Sequence, residues 1–174
     1  MGSSIMKKYS LIIIKYSLLL LFCLFLGKSV VGKERGWQFS QIPQRIIVQK
    51  VGIDLPIKSA PIQENTWDVY LDAASFGEGS SVPGVGGNTI VFSHDIPRLF
   101  YPLHKVEVGD TIYLTTDTDV LSYFVKEIHV VSPEDIHYLD QKYPNQLTLF
   151  TCTGPAYSKR LVIIATLGPA LLEN

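Results

Sequence analysis

The hydrophobic pattern divides the chain into an apolar N-terminal stretch and a longer part made of short alternating segments. Residues 11–26 read LIIIKYSLLLLFCLFL, in which one Lys, one Ser and one Tyr interrupt otherwise apolar positions. Counted outward from residue 9 to residue 31, the stretch has 23 residues, enough for a tilted helix across a hydrocarbon core of about 30 Å. The flanking positive charges favour, by a small margin, a cytoplasmic N-terminus. The pattern predicts an N-terminal transmembrane helix.

Other interpretations of this stretch remain open. A cleaved signal peptide is an alternative, because residues 30–32 (VVG) offer a small-residue cleavage site. A lipoprotein anchor fits less well, since Phe22 precedes Cys23 where a small residue is expected. A buried core helix is disfavoured by the flanking lysines. The transmembrane helix, the cleaved signal peptide and the lipoprotein anchor would all export the rest of the chain. With the transmembrane helix as the favoured interpretation, we expect a single-pass cell-membrane protein whose main domain is extracytoplasmic.

After residue 41 the apolar positions alternate over short segments bounded by turn residues, which is typical of β-strands. We expect strands at residues 45–48, 51–53, 66–71, 88–94, 111–115, 120–131, 146–152 and 160–167. The segment 73–87 (AASFGEGSSVPGVGG) is rich in Gly, Ser and Pro and predicts a loop. One or two short helical turns fit residues 98–106 and the segment that begins at 132. We therefore expect an all-β domain, either a closed barrel or a sandwich.

These patterns predict three parts of the chain. Residues 1–27 form the cytoplasmic tip and the membrane anchor, residues 28–41 a polar stalk, and residues 42–174 the β-domain. The net charge of −1, from 15 Lys and Arg against 16 Asp and Glu, does not indicate nucleic acid binding. The Gly-rich residues 84–87 do not open a helix, so a phosphate-binding loop is not expected.

The two cysteines occupy different environments. Cys23 lies in the predicted membrane segment, which leaves Cys152 without a disulfide partner in the exported part of the chain. Exported proteins usually pair their cysteines or lack them. Cys152 is therefore a candidate reactive thiol, and an inert core cysteine is the alternative.

The position of Cys152 suggests chemistry. It ends a predicted strand, and Arg160 begins the next one, so an antiparallel pairing brings the two face to face. A guanidinium at this place attracts negative charge, on the sulfur or on an oxyanion formed during acyl transfer. His94 ends another strand, and strand ends converge at the rim of a barrel. A thiol, an imidazole and a guanidinium are the groups that a cysteine acyl-transfer site needs.

The residues around these positions also carry a resemblance. TLFTC at residues 148–152, followed by Arg160, is similar to the T-L-x-T-C strand and downstream arginine of the sortases, a family of bacterial cell-surface transpeptidases. GNTIVFSH at residues 87–94 is similar to the family's histidine strand, and VGDTI at residues 108–112 to its Gly-Asp turn. These landmarks occur in the family's order, and the resemblance covers roughly residues 42–168.

The resemblance implies a closed eight-stranded β-barrel and a set of roles. Cys152 would attack the Thr–Gly carbonyl of an LPxTG-like sorting signal and form a thioester acyl-enzyme. His94 would act as general acid and then as general base. Arg160 would hold the substrate and the oxyanion. Thr151 would help to position the substrate through its hydroxyl or its backbone.

The same resemblance implies partners. Surface proteins that carry a C-terminal sorting signal would be the substrates, and an amine of a peptidoglycan precursor or a pilin lysine would be the acceptor. Family members need no cofactor, although some are stimulated by calcium. No acidic cluster in this sequence compels a metal site, and no His and Cys spacing fits zinc.

The sequence departs from the family pattern at two places that bear on substrate preference. Asp95 follows His94 where many relatives carry Arg or Asn, and residues 153–157 (TGPAY) differ from the expected Pro-aromatic pattern. The sequence also lacks an Asp-Pro-aromatic lid motif and a C-terminal membrane helix. These features favour a small, single-anchor subclass of the class D or E kind.

Two other functions stay open at this point. One is an exported cysteine hydrolase on the same fold, and the other is a non-catalytic extracytoplasmic β-domain that binds a partner. The intact Cys, His and Arg set disfavours the second. The other histidines are expected to be surface or structural residues: His104, His129 and His137.

Overall fold

The computed structural model describes residues 42–169. The predicted membrane anchor, the stalk and the boundary at residue 27 lie outside these residues and stay predictions. Within the described residues, no helix has both the length and the apolar character needed to cross a membrane.

Short strands joined by turns make up residues 42–169. The ten strands are β1 (Arg45–Val48), β2 (Ile53–Ala60), β3 (Ile62–Gln63), β4 (Thr66–Trp67), β5 (Ala74–Gly77), β6 (Asn88–Phe92), β7 (Thr111–Thr115), β8 (Val120–Val131), β9 (Gln146–Thr153) and β10 (Lys159–Leu167). Four short 3₁₀ helices lie at Gln49–Val51, Tyr101–Lys105, His137–Leu139 and Pro155–Tyr157. The sequence pattern predicted one or two such turns, and the others are single turns of three residues.

Eight of these strands close into a barrel in the order β1-β2-β5-β6-β9-β10-β8-β7, with β7 returning to β1. The pairs β2–β5 and β6–β9 are parallel, and the other six are antiparallel. The remaining strands, β3 and β4, form a separate hairpin. The predicted all-β closed barrel of eight strands is confirmed, and the sandwich alternative is wrong because β1 pairs on both edges.

Strand alternation fills the barrel with apolar side chains. On β9, Leu147 and Leu149 lie in the interior cluster, and on β10 Leu161, Ile163 and Ala165 do the same. Successive residues of a strand point to opposite faces, so Thr148, Phe150 and Cys152 belong to the outer face of β9. Cys152, near the C-terminal end of β9, therefore lies on the outer face of the barrel, on a strand whose other face packs in the core.

A second apolar cluster covers this outer face. It contains Ala60, Ile90 and Phe92, with Trp67, Tyr70, Leu139 and Phe150 packed against them. The Phe92 and Phe150 rings are stacked at 4.8 Å between centroids, and Trp67 lies 5.5 Å from Phe92. Such offset aromatic contacts favour a fixed ring arrangement. The cluster forms an apolar floor beside the last residues of β6 and β9.

The segment from 73 to 87 is only partly a loop. Residues 74–77 form β5, whose four residues are all buried, next to β2 on one edge and β6 on the other. The prediction of a loop for Ala74–Gly77 is therefore wrong. Small residues suit this strand because Trp67 packs directly on Gly77, where a Cβ would lie 2.9 Å from the indole ring.

The side-chain amides of the buried Asn88 and the exposed Gln141 attach the long connection between β8 and β9 to the barrel. The Asn88 side-chain NH₂ donates to the carbonyl of Tyr138 at 2.8 Å, and its Oδ1 accepts a 2.8 Å bond from the Thr148 hydroxyl. Gln141 Oε1 accepts hydrogen bonds from the backbone N–H groups of Ser81 and Asn88. These bonds satisfy polar groups that would otherwise be costly to bury, and they hold the connection beside β6 and β9.

Candidate active site

Cys152 and Arg160 are direct neighbours across two antiparallel strands. The register of β9 against β10 pairs Arg160 with Cys152. Directly opposed residues of an antiparallel pair have their Cβ atoms about 5 Å apart and on the same face of the sheet. The predicted antiparallel pairing of Cys152 with Arg160 is confirmed for the backbone, and the role of the guanidinium stays a prediction.

His94 lies on the other side of Cys152. The parallel register places Phe92 opposite Phe150, and the same register continued by two residues brings His94 level with Cys152. The Ser93 N–H donates to the Phe150 carbonyl at 3.4 Å, which extends the pairing beyond the end of β6. Cys152 on β9 therefore lies between Arg160 on β10 and His94, two residues beyond the end of β6, an arrangement we call the row.

The thiol and the imidazole share one cavity. Its volume is about 150 Å³, and its lining contains His94, Asp95, Ile96, Cys152 and Tyr157. Cys152 is a free thiol and is half-buried. A thiol and an imidazole on one cavity are the two groups that acyl transfer by a cysteine uses, the sulfur to attack a carbonyl and the ring nitrogen to move a proton.

Arg160 is not part of the cavity lining, although it bonds to the backbone of Tyr157, which is. The Arg160 Nη1 donates to the carbonyls of Tyr157 at 3.1 Å and Lys159 at 3.0 Å. The pKa of Glu134 is lowered, chiefly by a hydrogen bond from Ser132, and the charges of Lys159 and Arg160 contribute to that shift. The guanidinium is therefore held on one carbonyl of the β9–β10 loop and one at the start of β10, the strand next to the sulfur.

Thr151 faces away from the thiol. Its side chain is 1% exposed, and its hydroxyl donates to the Ser93 carbonyl at 2.8 Å. This bond occupies the hydroxyl inside the fold and joins the residue before Cys152 to the residue before His94. The expectation that Thr151 contacts substrate stays a prediction, and the buried hydroxyl favours its backbone for that contact.

The remaining histidines pair with acidic residues. His104 Nε2 lies 3.1 Å from Asp95 Oδ1, so this histidine contacts a residue of the cavity lining. His129 contacts Glu127 on β8, and His137 contacts Asp135, both at exposed positions. Among residues 42–169, no group of three or more His, Cys, Asp and Glu side chains is arranged to hold a metal ion.

The loop between β9 and β10 contributes strained backbone to the cavity edge. Ala156 has φ 50° and Tyr157 has φ 59°, both in the left-handed region that non-glycine residues rarely adopt. Tyr157 is 61% exposed and lines the cavity. Such strain persists where the surrounding structure imposes it, as it often does at functional sites.

Some residues of the site carried weak signals in the sequence. Ile96 follows Asp95 directly and carries no chemistry of its own, so nothing singles it out. Asp95 and Tyr157 stood out only as departures from a family pattern, yet both line the cavity. Ser93 acts through its backbone carbonyl, which no side-chain pattern can reveal.

Comparison with known proteins gives consistent matches. Residues 46–168 match the family profile described as "Sortase domain". Sortase A of Listeria monocytogenes serovar 1/2a is 31% identical over 142 residues, which cover 80% of this chain and 62% of that protein. Sortase A of Streptococcus agalactiae serotype III is 32% identical over 105 residues, covering 53% of this chain and 42% of that protein. The chain thus spans less than two thirds of either relative.

Solved structures share the fold. Sortase C1 from Streptococcus suis superimposes with a TM-score of 0.63 at 29% identity, covering 76% of this chain and 75% of that structure. The pilus-related Sortase C of Group B Streptococcus superimposes with a TM-score of 0.64 at 30% identity, covering 75% of this chain and 69% of that structure.

Proposed function

The chain belongs to the sortase family, and on that premise we propose that it is a cysteine transpeptidase acting through Cys152, His94 and Arg160. The observation that carries the proposal is that Cys152 pairs with Arg160 across β9 and β10 and shares one cavity with His94, which follows β6. The row supplies a nucleophile, a proton donor and acceptor, and a fixed cation, which are the parts that thioester chemistry requires.

The first half of the reaction forms the acyl-enzyme. The Cys152 sulfur attacks a peptide carbonyl carbon, and the His94 imidazolium gives its proton to the leaving amine. Because the carbonyl oxygen gains negative charge in this step, a donor beside it lowers the barrier. Arg160 is one strand from the sulfur, and its guanidinium exchanges a loop carbonyl for that oxygen when substrate is present.

The apolar floor beside the row supports recognition of an LPxTG-like sorting signal. Phe92 and Phe150 precede the two reacting strand ends, and Trp67 extends the aromatic surface toward the β3–β4 hairpin. Phe92 is only 4% exposed and supports the partly buried Trp67 and Phe150, against which Leu and Pro side chains of an extended peptide would lose water. The Thr–Gly bond that follows them would then lie over Cys152.

The second half transfers the acyl group to an amine. Surface proteins with a C-terminal sorting signal are the proposed donors, and an amine of a peptidoglycan precursor or a pilin lysine is the proposed acceptor. The Sortase C of Group B Streptococcus is pilus-related, which makes a pilin lysine one candidate acceptor for this chain. Matches to both Sortase A and Sortase C proteins leave the class D or E assignment a prediction.

The same proposal includes a membrane anchor. Residues 11–26 are apolar and long enough, with their flanks, to span a bilayer, and they precede the described domain. The catalytic domain would then work on the extracytoplasmic side of the cell membrane, where sorting signals and wall precursors meet.

The test uses the full chain in detergent with peptides of the form Leu-Pro-x-Thr-Gly, in which x is randomised. Intact-mass spectrometry should detect a thioester on the protein, and glycine amide should convert it into a new amide product. Cys152→Ala should abolish both signals and leave the circular dichroism spectrum unchanged. Release by water alone, with no amide at any acceptor concentration, would identify a hydrolase. Full activity of Cys152→Ala would contradict the proposal.

A further inference from the structure

The cavity beside the thiol contains one carboxylate. Asp95 lines it together with His94 and Cys152, and its side chain is only 12% exposed. A carboxylate withdrawn this far from water interacts with charged ligands more strongly than one on an open surface. The proposed reaction leaves it without a role, because acylation uses only the thiol, the imidazole and the guanidinium.

A second histidine orients this carboxylate. His104, on the 3₁₀ helix Tyr101–Lys105, places its Nε2 3.1 Å from Asp95 Oδ1. Within residues 42–169, the other carboxylate oxygen, Oδ2, has no hydrogen-bond partner. One oxygen is thus fixed by the fold, and the other is available to a ligand in the cavity.

The charges around Cys152 are unequal on its two sides. Asp95 follows β6 on one side, and Arg160 lies on β10 on the other, with β9 between them. An acyl oxygen that becomes negative is attracted to the Arg160 side. A cation that approaches the thioester is attracted to the Asp95 side, next to the imidazole that must accept its proton.

We propose that Asp95 binds the ammonium group of the acceptor and makes the site selective for cationic primary amines. The inference rests on the proposed transpeptidase function and adds the charge state in which the acceptor is bound. The bound ammonium R–NH₃⁺ first releases one proton to solvent. The amine nitrogen then forms a bond to the thioester carbon and gives a second proton to His94, while the C–S bond breaks and its electron pair returns to Cys152.

The test compares acceptors that differ in charge. Glycine amide and Nα-acetyl-lysine amide are largely protonated at neutral pH, whereas hydroxylamine is uncharged. Each is titrated against wild type, D95N and D95E with the Leu-Pro-x-Thr-Gly peptides. Asn keeps the size of Asp and an acceptor for His104, so D95N removes the charge with little disturbance. Glu127→Gln is the matched control, because it removes an exposed carboxylate that also pairs with a histidine, on β8.

D95N should lower the kcat/KM for the two ammonium acceptors about tenfold, mainly through KM, and change that for hydroxylamine less than about twofold. D95E should restore part of the loss, and Glu127→Gln should match wild type. Equal losses for charged and uncharged acceptors, or no loss at all, would overturn the role of Asp95 while transfer by wild type still supports the transpeptidase. A wild-type chain that acylates but transfers to none of the acceptors would instead refute the proposed function.

Discussion

The Thr151 hydroxyl donates a buried 2.8 Å hydrogen bond to the carbonyl of Ser93. The two residues immediately precede Cys152 and His94, and they belong to neighbouring strand ends. Ser93 also donates its hydroxyl to the Ala73 carbonyl, which links the same point to the residue before β5. The distance between the thiol and the imidazole therefore depends on a polar contact on the inner side of the sheet.

Replacement of Thr151 by Val should weaken both the fold and the reaction. Val keeps the shape but leaves the Ser93 carbonyl buried without this donor, which costs roughly 1–3 kcal/mol in the free energy of unfolding. Chemical denaturation measures that cost, and the rate of thioester formation measures the effect on the site. Thr151→Ser keeps the hydroxyl and should stay close to wild type in rate. Equal rates for the Val and Ser variants would contradict a positioning role.

Loss of the Arg160 guanidinium should reduce kcat much more than it changes KM for the peptide. Removal of one donor to an oxyanion typically costs ~10²–10³-fold in kcat. Arg160→Ala is expected in this range, and Arg160→Lys should recover only part of the rate, because an ammonium lacks the planar fork of the guanidinium. Lys159→Met removes a neighbouring charge that belongs to the opposite face of β10, and it should retain near-normal turnover. A comparable loss in that control would mean that net charge matters and not the position.

Ala156→Gly should stabilise the protein. Ala156 has φ 50° and ψ 31°, where a Cβ is penalised by about 1–2 kcal/mol and Gly is not. Part of this gain is offset by the greater freedom of Gly in the unfolded chain, so we expect an increase of about 0.5–1 kcal/mol in the free energy of unfolding. The control is Ser158→Gly, at φ −72°, which relieves no strain and should destabilise. Thermal unfolding of the two variants should shift in opposite directions.

The buried Tyr123 makes the stability of the fold depend on pH in alkaline solution. Burial raises its pKa to about 12, and the nearby Gly84 backbone and Thr89 side chain offset only part of that effect. Within residues 42–169, its hydroxyl is fully buried without a partner at hydrogen-bond geometry. The pKa of Tyr123 in the folded protein thus exceeds its unfolded value of 10.0. The neutral phenol therefore contributes to the free energy of unfolding fully below about pH 10, and this contribution is lost as the pH rises through about 12.

Replacement of Tyr123 by Phe should therefore change stability in two ways. At neutral pH it removes an unpaired buried hydroxyl and should raise the free energy of unfolding by up to about 1 kcal/mol. Between about pH 10 and 12, wild type should lose on the order of 2 kcal/mol in the free energy of unfolding through ionisation of this phenol. The Phe variant has no phenol and should not show that loss. Denaturation curves across this range measure both. If the free energy of unfolding changes with pH in the same way for both proteins, the pKa of the phenol does not differ between the folded and unfolded states.

Much of the fold was predictable because strand alternation is a local property. The predicted bounds of β7 and β8 agree with the structure, and β9 and β10 each extend by one residue. The order Cys152, loop, Arg160 also sufficed to predict their pairing, since a short connection joins antiparallel neighbours.

The missed features depend on distant parts of the chain. β5 was interpreted as loop because Ala, Ser and Gly are weak strand formers, and only its position between β2 and β6 makes them a strand. The sequence analysis did expect His94 and Cys152 to share a site, because both end strands, but the parallel pairing of β6 with β9 that brings them together cannot be predicted from a local pattern. The contact between Asp95 and His104 depends on how a 3₁₀ turn folds back onto the cavity.

The parallel pairing of β6 and β9 also bears on when the protein becomes active. Its two strands are separated along the chain by β7, β8 and a long connection, so this pairing requires closure of a large loop. Non-local pairings of this kind form slowly, because the entropy of loop closure must be lost before any contact is gained. If Cys152 and His94 act as proposed, a newly made chain would carry its sulfur without a neighbouring imidazole until β6 and β9 pair, which would couple the onset of reactivity to the end of folding.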